Sequence, residues 1–184
     1  RRRSFLISAP LARAGSKRIP GKNIRKLGDH PLIAYTISAA KKAELFSRIV
    51  VSTDSHEIAD VAKRYGAEVL MRPAEFAGDL SPDIDWVRHA LSQLPPHDAF
   101  SLLRVTSPFR TADTIRRAWQ RFTSLEVDSI RAVELCKQHP GKMWILEGDR
   151  MRPLLEGPSD RPWHSTPYQA PPNVYVQNAS LEIA

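Results

Sequence analysis

Short apolar segments alternate with amphipathic ones along most of this chain, and the alternation restricts the fold more than any other feature. Apolar runs typical of buried strands occupy residues 5–7, 48–53, 67–71, 99–105 and 129–135. Between them, apolar residues recur at helical spacing, as in the segment that Pro31 opens and in the segment 84–94. Alternating strands and helices predict an α/β fold, with a doubly wound, mostly parallel sheet of the Rossmann-like type.

The alternation ends near Gln138, and several prolines follow between residues 153 and 172. Another apolar strand, at residues 175–184, ends the chain, which is a poor stopping point for a sheet because a terminal strand leaves an unpaired edge. We therefore expect residues 1–184 to form a single domain that lacks its C-terminal part. Within it, residues 138–172 or so are predicted to form a smaller, irregular lobe that serves dimerisation.

Positive charge is concentrated near the amino terminus. Residues 13–26 contain six cations and no acid, together with Gly15, Gly21 and Pro20, and residues 27–184 carry 18 cations against 20 acids. The segment lies between a predicted strand and a predicted helix, at the edge of the sheet where α/β folds bind ligands. Glycine and cationic side chains at such a loop predict a polyphosphate site. A solvated basic loop or an RNA-binding patch is the alternative, but nucleic-acid binding favours an extended basic face, so we expect no nucleic acid.

Composition narrows the cellular setting. No apolar run approaches the roughly 18 residues that span a bilayer, so we expect no membrane association. The single cysteine, Cys136, excludes an internal disulfide and suits a reducing compartment, which predicts a cytoplasmic protein.

Seven motifs occur in the order found in the acylneuraminate cytidylyltransferases, the CMP-sialic acid synthetases, which this chain resembles over nearly its whole length. They are LARAGSKRIPGKN (11–23), PLIAYTI (31–37), VVSTDSHEIADVAKRYGAEV (50–69), RPAEFAGDLSP (72–82), LLRVTSPFRT (102–111), HPGKMW (139–144) and VYVQNASLEI (174–183). The resemblance implies an enzyme that transfers CMP from CTP to the anomeric hydroxyl of an acidic nonulosonate-type sugar and releases pyrophosphate. Such a reaction depends mainly on positioning and charge neutralisation.

The resemblance also implies roles for individual residues of the nucleotide half. Arg13 and Lys22 match the catalytic positions that clamp phosphate oxygens. The full set of implied nucleotide-binding residues is Arg13, Ser16, Lys17, Lys22, Asn23, Arg72 and Ser81. For Arg72 the alternative is an exposed surface cation.

Arg104 is the main departure from the family pattern. The family reads LLQPTSP where this chain reads LLRVTSP, so a fixed cation that only donates replaces a neutral amide that donates and accepts. We hypothesise that Arg104 faces the acceptor and selects a different acidic sugar; the alternative is that it pairs with a nearby acid. Thr106 and Ser107 match family positions near the acceptor.

Two further acceptor positions follow later in the chain. Lys142 matches a family lysine that meets the sugar carboxylate, and Asn178 matches an asparagine beside the acceptor. The family often carries an arginine two residues before that asparagine, where this chain has Val176. His139 is expected to be structural, and packing is the expected fate of Trp163 and Tyr168.

The family binds magnesium through an Asp-x-Asp pair near its carboxyl end, so the resemblance implies Mg²⁺. No such pair lies in the corresponding place here; Asp83 and Asp85 have the spacing but occupy a helix start. We therefore expect the metal ligands beyond residue 184 and assign none within the chain. A chain that naturally lacks the pair is the alternative.

Three functions remain open from sequence. The first is the nonulosonate cytidylyltransferase, the second a ketodeoxyoctonate-type cytidylyltransferase with an eight-carbon acceptor, and the third a non-catalytic nucleotide-binding relative. The AGSKRIPGKN loop and HPGKMW favour the first. CTP, an acidic sugar and a second copy of the chain are the expected partners.

Overall fold

The computed structural model describes the backbone of residues 4–8 and the whole of residues 19–78 and 81–184. Its strands and helices, in chain order, are β1 (Ser4–Ser8), β2 (Lys26–Leu27), β3 (His30–Pro31), α1 (Leu32–Ala43), β4 (Ile49–Thr53), α2 (His56–Arg64), β5 (Glu68–Met71), α3 (Asp83–Ser92), β6 (Ala99–Leu103), α4 (Ala112–Ser124), β7 (Ile130–Leu135), β8 (Trp144–Glu147), β9 (Arg150–Pro153) and β10 (Tyr175–Ile183). Each of the five predicted strands has a counterpart whose ends differ from the prediction by two residues or fewer.

One six-stranded sheet has the order β5-β4-β1-β6-β10-β7. Strand β1 pairs in parallel with β4 and β6, and β4 pairs in parallel with β5. Strand β10 is antiparallel to β6, with Leu181 opposite Leu103 and Ile183 opposite Ser101. The prediction of a doubly wound, mostly parallel sheet is confirmed, whereas alternation alone does not predict that β10 separates β6 from β7.

Apolar residues cover both faces of the parallel part of the sheet. Val69 packs against a core cluster formed with α1 and α2, in which Ile33, Ile37 and Val51 are fully buried. Its neighbour Leu70 packs instead against the cluster around Trp86 in α3. Successive strand residues point to opposite faces, so helices must cover both sides of the sheet.

The helix ends follow ordinary capping chemistry. Ser55 caps α2, because its hydroxyl accepts from the amide of Ile58 at 3.3 Å. Thr111 caps α4 in the same way. Pro31 precedes α1 in an extended conformation and is its cap, not its first helical residue.

Residues Ala132–Asn178 form a second compact unit, and the rest of the described chain forms the first. The second unit contains the β8–β9 hairpin and short 3₁₀ turns at Pro140–Lys142 and Trp163–Ser165. It includes the predicted lobe at residues 138–172. The prediction of a single domain with a dimerisation lobe stays a prediction.

Candidate nucleotide and acceptor site

The carboxyl ends of three neighbouring parallel strands, β4, β1 and β6, define one edge of the sheet. In open α/β sheets ligands bind at this edge. The predicted site residues Lys22, Asn23, Arg72 and Arg104 all belong to segments that follow these strands or β5. The edge is therefore the candidate site in the first unit.

The end of the basic loop is folded tightly against the start of α1. Gly21 has a left-handed φ of +62°, and its carbonyl accepts from the amides of Ile24 and Arg25 at 3.0 Å. Asn23 is buried, and its carbonyl accepts from the amide of Ile33 at 2.9 Å. Lys22 is partly exposed. The turn thus places the partly exposed Lys22 next to the buried Asn23, whose backbone is fixed against α1.

Three predicted nucleotide-binding residues lie outside the described residues. They are Arg13, Ser16 and Lys17. Their roles therefore stay predictions.

Arg72 is buried, with a relative exposure of 5%, which excludes the alternative of an exposed surface cation. Its Nε donates to the Ser52 hydroxyl at 3.2 Å, and its terminal nitrogen donates to the Ser52 carbonyl at 3.0 Å. Its backbone amide donates to the carbonyl of Thr53 at 2.8 Å. Residues of β4 therefore bind both the backbone and the side chain of Arg72.

The guanidinium of Arg72 also lies over the indole of Trp86, 4.9 Å from the ring centre. A cation at this distance from an aromatic face is attracted by the ring quadrupole. The other end of that indole donates from Nε1 to Asp83 at 3.0 Å. Trp86 thus links a predicted nucleotide residue to the first turn of α3.

Ser81 lies in the loop before α3 and is partly exposed. Its hydroxyl donates to the carbonyl of Glu75 at 3.2 Å, and its amide donates to the carbonyl of Gly78 at 3.2 Å. In this structure the Ser81 hydroxyl therefore stabilises the loop to which it belongs.

Arg104 forms an ion pair with Asp83, and a second acid, Glu182, lies 4.0 Å from the same guanidinium nitrogen. Its side chain has a relative exposure of 15%. Arg131 approaches Glu182 from the other side at 3.6 Å. Arg104, Arg131, Asp83 and Glu182 therefore form a cluster with no net formal charge. In this structure Arg104 pairs with a nearby acid, which is the alternative to facing the acceptor.

Asp83 is the carboxylate shared by these contacts. Partial burial, the largest single influence, acts to raise its pKa. The hydrogen bonds from Arg104 and Trp86, together with the charges of Arg104 and Arg72, outweigh burial and hold the pKa below its usual value. Asp83 therefore stays ionised between the two predicted half-sites.

The loop after β6 is held by Arg110, which is buried. Its guanidinium donates to the carbonyls of Arg104 and Ser180 and, at 3.3 Å, to the hydroxyl of Thr36 in α1. Burial lowers the pKa of Arg110 to about 10. These contacts make Arg110 an anchor that joins β10, α1 and its own loop.

Two other predicted acceptor residues lie in that loop. Thr106 is exposed and Ser107 is partly buried. The Ser107 amide donates to the carbonyl of Arg104 at 3.3 Å, and the Arg110 amide donates to the carbonyl of Ser107 at 3.2 Å. The backbone is therefore tightly turned, with Thr106 at its surface.

Lys142 belongs to the second unit. Its ammonium donates to the carbonyls of Thr166 and, at 3.3 Å, His164. The nearby His139 is buried and has both ring nitrogens occupied: Nδ1 accepts from the Gly141 amide, and Nε2 lies 2.9 Å from the carbonyl of Pro172. His139 is therefore structural, as expected.

The remaining predicted residues of the second unit are less enclosed. Asn178 is exposed, as is Val176 two residues earlier. Trp163 packs its ring at 5.5 Å and nearly perpendicular to that of His139. The Tyr168 hydroxyl accepts from the His139 amide and donates to the carbonyl of Lys137. Trp163 therefore packs, as expected, whereas the exposed Tyr168 acts through the hydrogen bonds of its hydroxyl.

Sequence reasoning missed Asp83 and Trp86 as parts of the site. Asp83 was noted only as half of an Asp-x-Asp pair at a helix start. The i,i+3 spacing of Asp83 and Trp86 would predict that the two side chains meet on α3. The pairing of Asp83 with Arg104 has no local signal, because the two residues lie on separate elements.

Among the described residues, no group of three or more histidine, cysteine or acidic side chains has the arrangement of a metal site. Nor does any described helix combine the length and apolarity that crossing a membrane requires.

Comparison with known proteins identifies the family. A family model described as cytidylyltransferase matches residues 10–139. The N-acylneuraminate cytidylyltransferase of Escherichia coli is 41% identical over 124 residues, which cover 67% of this chain and 30% of that protein. The CMP-N,N'-diacetyllegionaminic acid synthase of Legionella pneumophila is 47% identical over 131 residues, covering 67% of this chain and 56% of that protein. This chain belongs to the cytidylyltransferase family.

A solved structure supports the same fold. A CMP:2-keto-3-deoxy-manno-octonic acid synthetase complexed with CTP superposes with a TM-score of 0.70 over 98% of this chain and 73% of that one, at 14% identity. This likeness concerns the fold alone. The chain spans 30% and 56% of the lengths of the two relatives named above.

Proposed function

We propose that this chain carries the nucleotide- and acceptor-binding part of a cytidylyltransferase that transfers CMP from CTP to the anomeric hydroxyl of an acidic nonulosonate-type sugar. The observation that carries the proposal is the family match over residues 10–139, which includes the basic loop and its attachment to α1. The names of the two relatives, one acting on N-acylneuraminate and one making CMP-N,N'-diacetyllegionaminic acid, support a nonulosonate acceptor.

In the proposed reaction the sugar hydroxyl oxygen attacks the α-phosphorus of CTP. An oxygen–phosphorus bond to the sugar forms as the bond to the β-phosphate breaks, and pyrophosphate leaves with the electron pair while the hydroxyl proton is released. Little covalent chemistry is required of the protein, so positioning and charge neutralisation supply most of the rate enhancement.

We assign the cations of the basic loop to the phosphates. Arg13 and Lys22 neutralise charge on the triphosphate, with Ser16, Lys17 and Asn23 completing the contact. The tight turn at Gly21 supports this role for Lys22, because it restrains the backbone beside the buried Asn23. Arg72 and Ser81 belong to the cytidine side; Arg72 acts there from a buried position.

Acceptor binding is assigned to Arg104, Thr106, Ser107, Lys142 and Asn178. For Arg104 the ion pair with Asp83 means that its charge is already largely balanced. We therefore propose that it offers the sugar a directed hydrogen-bond donor. Lys142 would meet the sugar carboxylate after exchanging one of its two carbonyl partners.

Magnesium remains part of the proposal, and we assign it no ligand among the described residues. The described residues do not themselves supply a metal centre, and Asp83 is engaged by Arg104 and Trp86. No step above therefore depends on the ion. Use of CTP and the single cysteine support a cytoplasmic location.

We also propose that the protein is a homodimer that pairs through the second unit. Exposed large apolar side chains are concentrated there, among them Leu146, Met151 and Tyr175. A surface of this kind marks an interaction site. Sedimentation of the protein is expected to give a dimer that Leu146→Asp shifts towards monomer; a monomeric wild-type protein would contradict the proposal.

Pyrophosphate release is the direct test. The purified protein is incubated with CTP, magnesium and each of a panel of sialic, legionaminic, pseudaminic and eight-carbon keto acids. Release with a nine-carbon acid, greatly reduced in Lys22→Met, supports the proposal. Release only with an eight-carbon acid, or CTP binding without release from any sugar, contradicts it and favours the ketodeoxyoctonate-type or non-catalytic alternative.

A further inference from the structure

A continuous series of contacts joins the two predicted halves of the site. Glu182 lies near Arg104, Arg104 pairs with Asp83, Asp83 accepts from Trp86, and Trp86 stacks under Arg72. Arg72 in turn is bonded to Ser52 at the end of β4. All of these residues belong to the first unit.

At the acceptor end of this series of contacts, charge balance determines the position of Arg104. Arg104 stands where the family has a neutral glutamine, and its side chain is mostly buried, so an unbalanced charge there would be costly. Asp83 and Glu182 provide the balance. The position of the Arg104 guanidinium therefore depends on Asp83.

At the nucleotide end of the series, the indole of Trp86 determines the position of Arg72. Trp86 is 2% exposed and can adopt few orientations within its cluster. The bond from its Nε1 to Asp83 fixes the ring about its long axis, and the ring face fixes Arg72 from one side. Asp83 also attracts Arg72 directly through its charge.

We infer that Asp83 and Trp86 are positioning residues that couple the acceptor half of the site to the nucleotide half. The inference rests on the proposed function, because it takes Arg72 as a nucleotide residue and Arg104 as an acceptor residue. It states that a change at Arg104 alters CTP binding even when no sugar is present. Residues in one hydrogen-bonded and ionic network are expected to be energetically coupled in this way.

The test measures CTP affinity by titration calorimetry in the absence of any sugar. Arg104→Gln leaves the carboxylate of Asp83 without its ion-pair partner, so the carboxylate and the indole bonded to it shift, and the ring face no longer holds Arg72 in place. We expect the Kd for CTP to rise by about three- to thirtyfold, the range typical of coupled neighbours. Arg104→Lys, which keeps the charge, should restore part of the affinity.

A double-mutant cycle identifies the route of the coupling. Trp86→Phe keeps an aromatic face for Arg72 but removes the N–H that binds Asp83. In the Trp86→Phe background, Arg104→Gln should raise the Kd by a clearly smaller factor than in the wild-type protein. Asp85→Asn serves as the matched control, since Asp85 lies in the same first turn of α3, and it should bind CTP as the wild type does.

The outcomes separate the inference from the proposed function. Wild-type protein that binds CTP, with an unchanged Kd in Arg104→Gln, overturns the inference alone. Equal effects of Arg104→Gln in both backgrounds also overturn it, because the two residues would then act independently. Wild-type protein with no CTP binding overturns both. Thermal unfolding of every variant confirms that a change in Kd is not a loss of fold.

Discussion

The two compact units differ in how their side chains are stabilised. The first unit buries apolar residues on both faces of a sheet, including Ile33, Ile37 and Leu103 with no measurable exposure. The second unit, residues 132–178, contributes no apolar side chain to the fully buried set of the described residues. Its internal contacts include side-chain hydrogen bonds to backbone carbonyls and an edge-to-face ring pair.

The difference shows which part of the molecule can tolerate change. Burial of apolar area is the dominant favourable contribution to folding, so the first unit should depend on core packing. The second unit leaves many large apolar residues exposed. Substitutions there should therefore affect association with the proposed second copy more than folding. The first two predictions below compare matched residues of the two units, and the last two concern the first unit alone.

The largest effect is expected at Leu103. Leu103 is fully buried in β6, whereas Leu146 in β8 has a relative exposure of 72%. Leu103→Ala should lower the free energy of unfolding by about 3–5 kcal/mol, through lost transfer energy and a residual cavity. Leu146→Ala should change it by about 0.5 kcal/mol or less. Urea denaturation measures both, and comparable losses would contradict the contrast between the units.

A second comparison uses two cations that bind backbone carbonyls. Arg110 is buried in the first unit, and Lys142 is only partly buried in the second. Arg110→Ala leaves the carbonyls of Arg104 and Ser180 without this donor, so we expect a loss of about 3 kcal/mol. Lys142→Ala should cost about 1 kcal/mol, because water can replace the ammonium. Chemical denaturation of both variants, with Lys137→Ala as an exposed-lysine control, provides the measurement.

The parallel layers could be predicted from sequence because their signal is local. Apolar runs and helical spacing located β1, β4, β5, β6 and β7, and the caps Ser55 and Thr111 were visible as residue types. The place of β10 in the sheet could not be predicted, since strand order depends on pairing between distant segments. The second unit lacks periodicity, so its hairpin and turns had no comparable signal.

The candidate site stands on a set of predicted residues. Motif resemblance picks out Lys22, Arg72 and Arg104, whose binding roles stay predictions, and the structure adds the burial of Arg72 and the pairing of Arg104 with Asp83. Burial and ion pairing arise from tertiary contacts, which a single sequence does not contain. The charge substitution at Arg104 was visible, whereas the acids that balance it were not.

The third prediction concerns pH and the charge cluster of the first unit. The pKa of Asp83 is lowered on folding, so its stabilising effect is present above the usual pKa of 3.8 and is lost as the pH falls through the folded-state value. Between about pH 5 and pH 2, the unfolding free energy of the wild type should therefore fall more steeply than that of Asp83→Asn. Parallel slopes for wild type and Asp83→Asn would contradict the pairing.

A modest stabilising effect is expected at the end of α1. Glu44 caps this helix with a left-handed φ of 57°, a conformation that favours glycine, and places a negative charge at the helix carboxyl end. Glu44→Gly removes both penalties and should stabilise the protein by about 1 kcal/mol. Glu44→Gln removes only the charge and should give a smaller gain in stability than Glu44→Gly. A lower melting temperature for Glu44→Gly would contradict this account.

The antiparallel strand β10 also affects how the chain completes its sheet during synthesis. The hydroxyl of Ser101 in β6 donates to the carbonyl of Glu182, its neighbour across the sheet but 81 residues later in the chain. At about 5–20 residues per second, a ribosome needs several seconds to make the intervening segment. During that interval one edge of β6 has no strand partner from β10, and unpaired edges promote association between chains. Slowing elongation within residues 104–174 should therefore increase aggregation of the nascent protein.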